Sequence, residues 1–316
     1  MQRPLKIGTR GSPLALYQAR LVQRLLAEQA GIEPAARDTH FPIFIFVTSG
    51  DKLKGALAEF GGKGLFTKEL ETALIAGDVD MAVHSMKDVP TLSQKELMIG
   101  AVLEREDPRD AFVSLTAASI DELPEGAIVG TASLRRRAQL AALRPDIRFD
   151  LLRGNVGTRL GKLKAGVCDA TFLAYAGLKR LEREDAVTEI VSTDRMLNAP
   201  AQGAIGIEIR VDDPAVSKIV SGLNHEGTHL AVTAERAFLR ALDGSCRTPI
   251  AALATLDGGN MRFRGQVLSI DGQYSVSRDI TESIDDLGQA RRLGASIGQD
   301  ILTDVGDRNI WQEELE

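Results

Sequence analysis

The sequence predicts an α/β protein of three domains: two α/β lobes, then a small α+β domain with an antiparallel sheet. Three observations predict it. Strand-like and helical stretches alternate in one series from residue 5 to 86 and again from 126 to 178, and a turn-rich stretch after residue 250 carries strands without intervening helices. At 316 residues with 44% hydrophobic content, the chain has core enough for more than one domain.

The first series opens with LKIGTR as a strand, followed by the periodic helix PLALYQARLVQRLLAEQA and the strand FPIFIFVTSGD. LFTKELETALIAGD then reads as a helix and DMAVHSM as a strand, so strand, helix and strand repeat and imply a parallel sheet. Between them, SGDKLKGALAEFGGKG at residues 49–64 has the character of a long loop of the kind that acts as a lid. The second series runs GAIVGTAS (strand), LRRRAQLAALRP (helix), IRFDLLRG (strand), TRLGKLKAG (helix) and CDATFLAYAGL (strand into helix). In the last region HLAVTAERAFLRALD places Leu230, Ala234, Ala237, Phe238 and Ala241 on one helical face. IAALATL, MRFRGQVLSI and YSVSRDIT follow as strands separated by DGGN and DGQ turns, and DLGQARRLGASIGQDILTDV closes the chain as a helix.

Composition narrows the function. The N-terminus enters a strand without an apolar h-region and no stretch approaches a membrane span of about 18 apolar residues, which points to the cytoplasm. Two cysteines make no disulfide framework, and neither CxxC nor HExxH occurs, so no metal is expected. The net charge of −6 conceals a segment, residues 130–183, with a local balance of +8. A mainly acidic chain with one basic segment and few aromatics is unsuited to nucleic acid and fits a small polyanionic ligand.

Polar residues gather at strand ends, where open α/β sheets place ligands. Arg10 and Ser12 follow the first strand; Ser85, Lys87 and Asp88 follow DMAVH; Thr131, Ser133, Arg135 and Arg136 open a helix; Arg153 and Arg159 flank GNVGT. Backbone donors at helix N-termini combined with guanidinium forks suit carboxylate or phosphate. Each arginine taken singly reads equally well as a solvated surface charge, and it is their clustering that marks a site. Asp88 in HSMKDVP is the carboxylate placed to act within that basic setting, with a turn or capping role as the plain alternative. His84 reads as a structural histidine rather than a base. GTRGS, GGKG and RGNVG match neither a dinucleotide fingerprint nor a P-loop.

Eight ordered motifs, IGTRGSPLAL, GGKGLFTKELE, AVHSMKDVP, EREDPRDAFVS, GTASLRRRAQL, LLRGNVGTRLGKL, APAQGAIGIE and ERAFLRALDGSCRTPIAA, together resemble the porphobilinogen deaminase (hydroxymethylbilane synthase) family over nearly the whole chain. The resemblance implies an enzyme that joins four porphobilinogen molecules head to tail into the linear tetrapyrrole hydroxymethylbilane, releasing ammonia at each step. It also implies a dipyrromethane cofactor held through a thioether, by motif match at Cys246, and Asp88 as the catalytic carboxylate. Cofactor-binding roles fall by the same match on Lys87, Ser85, Ser133, Arg135, Arg136, Thr131 and Asp88, and substrate-binding roles on Arg10, Ser12, Lys63, Arg153, Arg159 and Arg180. Each pyrrole carries two carboxylates, so a dense cationic lining has a physical reason. A thiol that serves only as a small buried residue suits Cys168 in VCDATFLA.

The implied fold has two lobes like the halves of type II periplasmic binding proteins, with the active site between them. Domain one would comprise residues 1–103 and 204–222, domain two 104–203 and the cofactor-carrying domain three 223–316. A monomer is implied as well. Glu59 stands where relatives often carry lysine, Arg137 where a neutral residue is common, and Tyr17 where tryptophan is frequent. A noncatalytic anion receptor would share the two-lobed pattern and lack any use for Cys246 and Asp88. A thiol redox enzyme would need a resolving cysteine.

Overall fold

A computed structural model describes residues 3–52, 64, 66–92, 94–242, 248–306 and 308. Most of the expected lid loop, with Glu59 and Lys63, and the turn bearing Cys246 therefore lie outside the described residues. Two compact units emerge: one takes the chain to residue 106 and again from 203 to 229, the other takes 107–202 and 230 onward.

The first unit is built on β1 (Ile7–Arg10), β2 (Ile43–Phe46), β3 (Met81–Ser85), β4 (Leu97–Val102) and a strand from much later in the chain, β10 (Ile205–Arg210). Their order is β2-β1-β3-β10-β4. β1 runs parallel to β2 and β3, whereas β10 is antiparallel to β3 and β4. Helix α1 (Pro13–Gln29) starts at Ser12, whose side chain accepts the Ala15 N–H, with Pro13 at the first helical position. Ala19, Val22 and Leu26 of α1 recur at helical spacing and bury against Ile7, Met81, Val83 and Ile207 on one face of the sheet. The intervening Ala82 points the other way, as strand alternation requires, and packs with Leu70 and Leu74 of α4 (Lys68–Ala76). Helix α4 stops at Gly77, whose φ of 78° supplies the left-handed cap that only glycine adopts cheaply. Single turns α2 (Arg37–His40) and α3 (Ser49–Lys52) and helix α8 (Pro214–Val220) complete the unit.

The second unit repeats the plan with β5 (Asp110–Ser114), β6 (Ile128–Gly130), β7 (Arg148–Asp150), β8 (Ala170–Ala174) and β9 (Glu189–Ile190), in the order β7-β6-β8-β5-β9. Helices α5 (Leu134–Leu143), α6 (Val156–Lys164) and α7 (Tyr175–Arg180) alternate with its strands. β6 is parallel to β7 and β8, and β5 is antiparallel to β8 and β9. The sheets are therefore mixed where the sequence pattern implied parallel pairing. In the first the antiparallel strand β10 comes from a distant part of the chain, and in the second β5 pairs with β8 across the intervening β6 and β7, so no local strand, helix, strand period announces either. The antiparallel segments β5 and β10 lie where the chain passes into the second sheet and back into the first, so each sheet receives one strand at a crossing.

The second unit also holds the antiparallel meander β11 (Ile250–Asp257), β12 (Asn260–Leu268) and β13 (Ser275–Ser283), with α10 (Leu287–Val305) and all but the first turn of α9 (Glu226–Ala241). Met261, Phe263 and Val267 alternate inward onto Leu230, Ala234 and Phe238 of α9. Phe238 and Phe263 meet edge to face, with centroids 5.3 Å apart. Among the described residues no helix is long and apolar enough to cross a membrane.

Candidate active site

The C-terminal ends of β1 and β3 and the start of α1 converge on a small open pocket in the first unit. Arg10, Ser12, Leu14, Ala15 and Gln18 line one part of it, and Phe66, Thr67, Val83, His84, Ser85 and Asp88 the rest. Four of the expected site residues, Arg10, Ser12, Ser85 and Asp88, thus stand in one pocket. The strand β3 ends at Ser85 and passes into a short 3₁₀ turn, Met86–Asp88, which turns the Asp88 carboxylate out of the sheet. Asp88 and Lys87 are half-buried. Gln18, buried within the apolar face of α1, donates from Nε2 to Ser85 Oγ at 2.8 Å and so fixes the serine at the strand end. The Arg10 guanidinium lies over the Phe66 ring, 4.3 Å from its centroid, a cation–π stack that orients the charge.

His84 is 5% exposed, and its Nε2 lies 3.0 Å from Oε2 of Glu208 across the β3/β10 pairing. That agrees with a structural histidine and gives Glu208, 1% exposed, the partner a buried carboxylate requires.

In the second unit, Thr131 Oγ1 accepts the Ser133 N–H at 3.1 Å, and Ser133 caps α5. Arg135 and Arg136, in the first turn of α5, are 4% and 6% exposed. Arg135 donates from Nη2 to Asp110 Oδ2 at 2.7 Å and from Nη1 to the Leu197 carbonyl at 2.8 Å. Arg136 donates from Nη2 to Asp110 Oδ1 and from Nη1 to the Phe172 carbonyl, each at 2.7 Å. Gln202 Nε2 adds a third donor to Asp110 Oδ1 at 2.9 Å. Burial by itself would raise the Asp110 carboxyl, but the Arg135 and Arg136 charges and the bonds from Arg136 and Gln202 prevail and hold it well below the usual carboxylate range. Burial likewise lowers Arg135, partly offset by Asp110. The terminal nitrogens that the sequence reading offered to a ligand are thus engaged inside the unit, and the Nε atoms of both arginines are buried without a partner among the described residues.

Arg153 precedes the loop into α6 and Arg159 lies within that helix, whose N-cap Asn155 accepts the Thr158 N–H. Arg159 Nε donates to the Gly154 carbonyl at 2.8 Å, and Lys162 Nζ donates to the Arg153 carbonyl at 3.1 Å. Arg180 closes α7, and Arg137 lies 5.8 Å from the Phe149 ring centroid. Cys168 is buried, and burial pushes its thiol up, as suits a packing residue.

Gln18, Phe66, Thr67 and Asp110 were not singled out from sequence. A glutamine inside the apolar face of α1, one residue before Ala19, was the available signal for Gln18. Asp110 carried none, because its partners come from α5 and from residue 202.

A family model described as porphobilinogen deaminase, dipyromethane cofactor binding domain, matches residues 5–218, and a second, the porphobilinogen deaminase C-terminal domain, matches residues 229–303. The porphobilinogen deaminase of Paracoccus denitrificans is 48% identical over 308 residues, spanning 97% of this chain and 95% of its own. The chloroplastic porphobilinogen deaminase of Pisum sativum is 50% identical over 308 residues, 96% of this chain and 82% of its own. Among solved structures, a periplasmic substrate-binding protein of an ABC transporter from Coxiella burnetii aligns with a TM-score of 0.44 at 15% identity, covering 69% of this chain and 91% of its own. Matched over most of its length by two domain models and by relatives at about half identity, the chain belongs to the porphobilinogen deaminase family, the transferases that make hydroxymethylbilane for tetrapyrrole synthesis.

Proposed function

We propose that this chain performs the family's stepwise condensation of four porphobilinogen molecules with Asp88 as its catalytic carboxylate and Cys246 as the thioether anchor of the dipyrromethane. The observation that carries the reading is the pocket in which Asp88 stands with Arg10, Ser12 and Ser85 at adjoining strand ends. The donor chemistry fits a carboxylate-bearing cofactor: two guanidinium groups share the single carboxylate of Asp110, leaving one net positive charge, and both retain a buried, unpartnered Nε–H. When bound, the dipyrromethane supplies the tether and the free α-carbon that is extended.

The chain's own residues do the rest. Asp88 stabilises the cation left on the methylene of the incoming pyrrole when its amino group departs as ammonia, and assists the removal of the proton released after coupling. Arg10 and Ser12 orient the substrate's carboxylates, and Gln18 keeps Ser85 in place. Lys87, Ser85, Thr131, Ser133, Arg135 and Arg136 serve the cofactor; Lys63, Arg153, Arg159 and Arg180 serve the lengthening chain. The domain limits 1–103 with 204–222, 104–203 and 223–316, and a cytoplasmic monomer, belong to the same reading. Purified protein incubated with porphobilinogen releases one ammonia per porphobilinogen consumed and forms a linear tetrapyrrole; a protein that binds porphobilinogen without releasing ammonia is a receptor, and the reading fails.

A further inference from the structure

Thr67 occupies the N-cap position of α4 and is 1% exposed. A threonine in that position ordinarily accepts a backbone N–H of the first turn. Here φ is −123° and ψ −25°, and the side chain makes no capping bond. Its Oγ1 is sealed from solvent and has no hydrogen-bond partner among the described residues. A buried hydroxyl without a partner subtracts from stability. Yet Thr67 lines the pocket that holds Asp88.

The surroundings say what the missing partner is. Phe66, next in the chain, supports the Arg10 guanidinium at 4.3 Å. Ser12 and Ala15 bring the N-terminal end of the 17-residue α1 to the same pocket, and Thr67 brings that of the nine-residue α4. The N-termini of α1 and α4 and the Arg10 guanidinium, set against Asp88 and the first-turn acids Glu69 and Glu71 of α4, make an anionic oxygen beside Arg10 the acceptor for which the hydroxyl is placed. We infer that Thr67 donates a hydrogen bond to a carboxylate of the incoming pyrrole diacid, beside Arg10, and is a substrate-binding residue of this pocket. This assignment rests on the proposed function and adds a residue to it.

The test compares Thr67→Val, which keeps the shape and removes the hydroxyl, with Thr67→Ser, which keeps the donor. Both are made in the cofactor-loaded full chain, and kcat, KM for porphobilinogen and the melting temperature are measured. Thr67→Val is expected to melt at the same temperature or higher, since an unpartnered polar atom is gone, and to raise KM about tenfold or more with kcat within about twofold. Thr67→Ser stays near wild type in all three. An unchanged KM in Thr67→Val overturns the assignment, as does a lowered melting temperature, which would show that the hydroxyl has a structural partner. Absence of tetrapyrrole from the wild-type protein instead sinks the functional reading, so the two failures are told apart.

Discussion

Nη2 of Arg136 lies 2.7 Å from Oδ1 of Asp110, a carboxylate with no exposed surface, while Arg135 takes the other oxygen at the same distance. One anion thus holds two buried cations at the first turn of α5. Replacing it by asparagine keeps the volume but leaves both guanidinium groups without a counter-charge. Breaking a buried pair in this way costs about 3–5 kcal/mol. Asp110→Asn is therefore expected to lower the unfolding free energy obtained from urea denaturation by that amount, and a change of less than about 1 kcal/mol would show that the cluster is neutralised by other means.

The proposed roles of Asp88 and Cys246 separate cleanly by mass and by rate. Asp88→Asn should fold and carry the covalent dipyrromethane, seen as added mass on the intact protein, while losing about a hundredfold or more in kcat, the usual scale for a positioned acid or base. Cys246→Ser should show no added mass. An adduct retained by Cys246→Ser would move the anchor elsewhere, and near-normal turnover in Asp88→Asn would remove that carboxylate from the chemistry.

Local pattern carried the elements whose partners are close in the chain. Ser12 before Pro13, followed by Ala19, Val22 and Leu26, announces α1, and the alternation of Met81, Ala82 and Val83 announces β3. β10 was read only as the returning chain. Its identity as a strand between β3 and β4 depends on Ile205 pairing with Ser85, 120 residues away, a contact that no local period encodes. The same holds for the site. Asp88 and Ser85 follow from the end of a strand, whereas the engagement of Arg135 and Arg136 with Asp110 needs β5 beside β8, and Thr67 shows its interest only once its capping bond is seen to be missing.

The acid limb of stability should report Asp80. Its carboxylate, 3% exposed, accepts from both Nη atoms of Arg3 at 2.7 and 2.9 Å and from the Lys6 N–H at 2.8 Å. Burial would raise this carboxyl, but the Arg3 hydrogen bonds, the Lys6 amide and the Arg3 and Arg210 charges lower it on balance. A carboxyl lower in the folded state than in the unfolded chain stabilises fully above the unfolded value of about 3.9, and that contribution is lost as pH falls through the folded value. Between pH 7 and about 5 wild type and Asp80→Asn should therefore differ by a constant amount. Below about pH 4 the wild type should lose stability more steeply, by up to about 1.4 kcal/mol per pH unit for the one proton involved. Parallel acid limbs for the two proteins would refute the coupling.

Two glycines should respond in opposite senses to the same added methyl group. Gly203, where the chain returns to the first unit, has φ of 91°, and a Cβ there would stand 2.4 Å from the carbonyl oxygen of Glu106. Both the left-handed backbone and the clash with main chain, which cannot swing aside as a flexible side chain can, oppose alanine. Gly161 in the interior of α6 has no atom within 4 Å of the same added carbon and an ordinary helical backbone, so alanine there only narrows the unfolded ensemble and improves helix propensity. Gly203→Ala is expected to destabilise by about 2 kcal/mol or more, from left-handed strain alone about 1–2 kcal/mol, and Gly161→Ala to stabilise by about 0.5–1 kcal/mol. Chemical denaturation of the pair, read against the wild type, checks both signs; a neutral Gly203→Ala would mean that the segment around residue 203 relaxes at little cost, and that the left-handed turn there is a choice of the glycine rather than a demand of the fold.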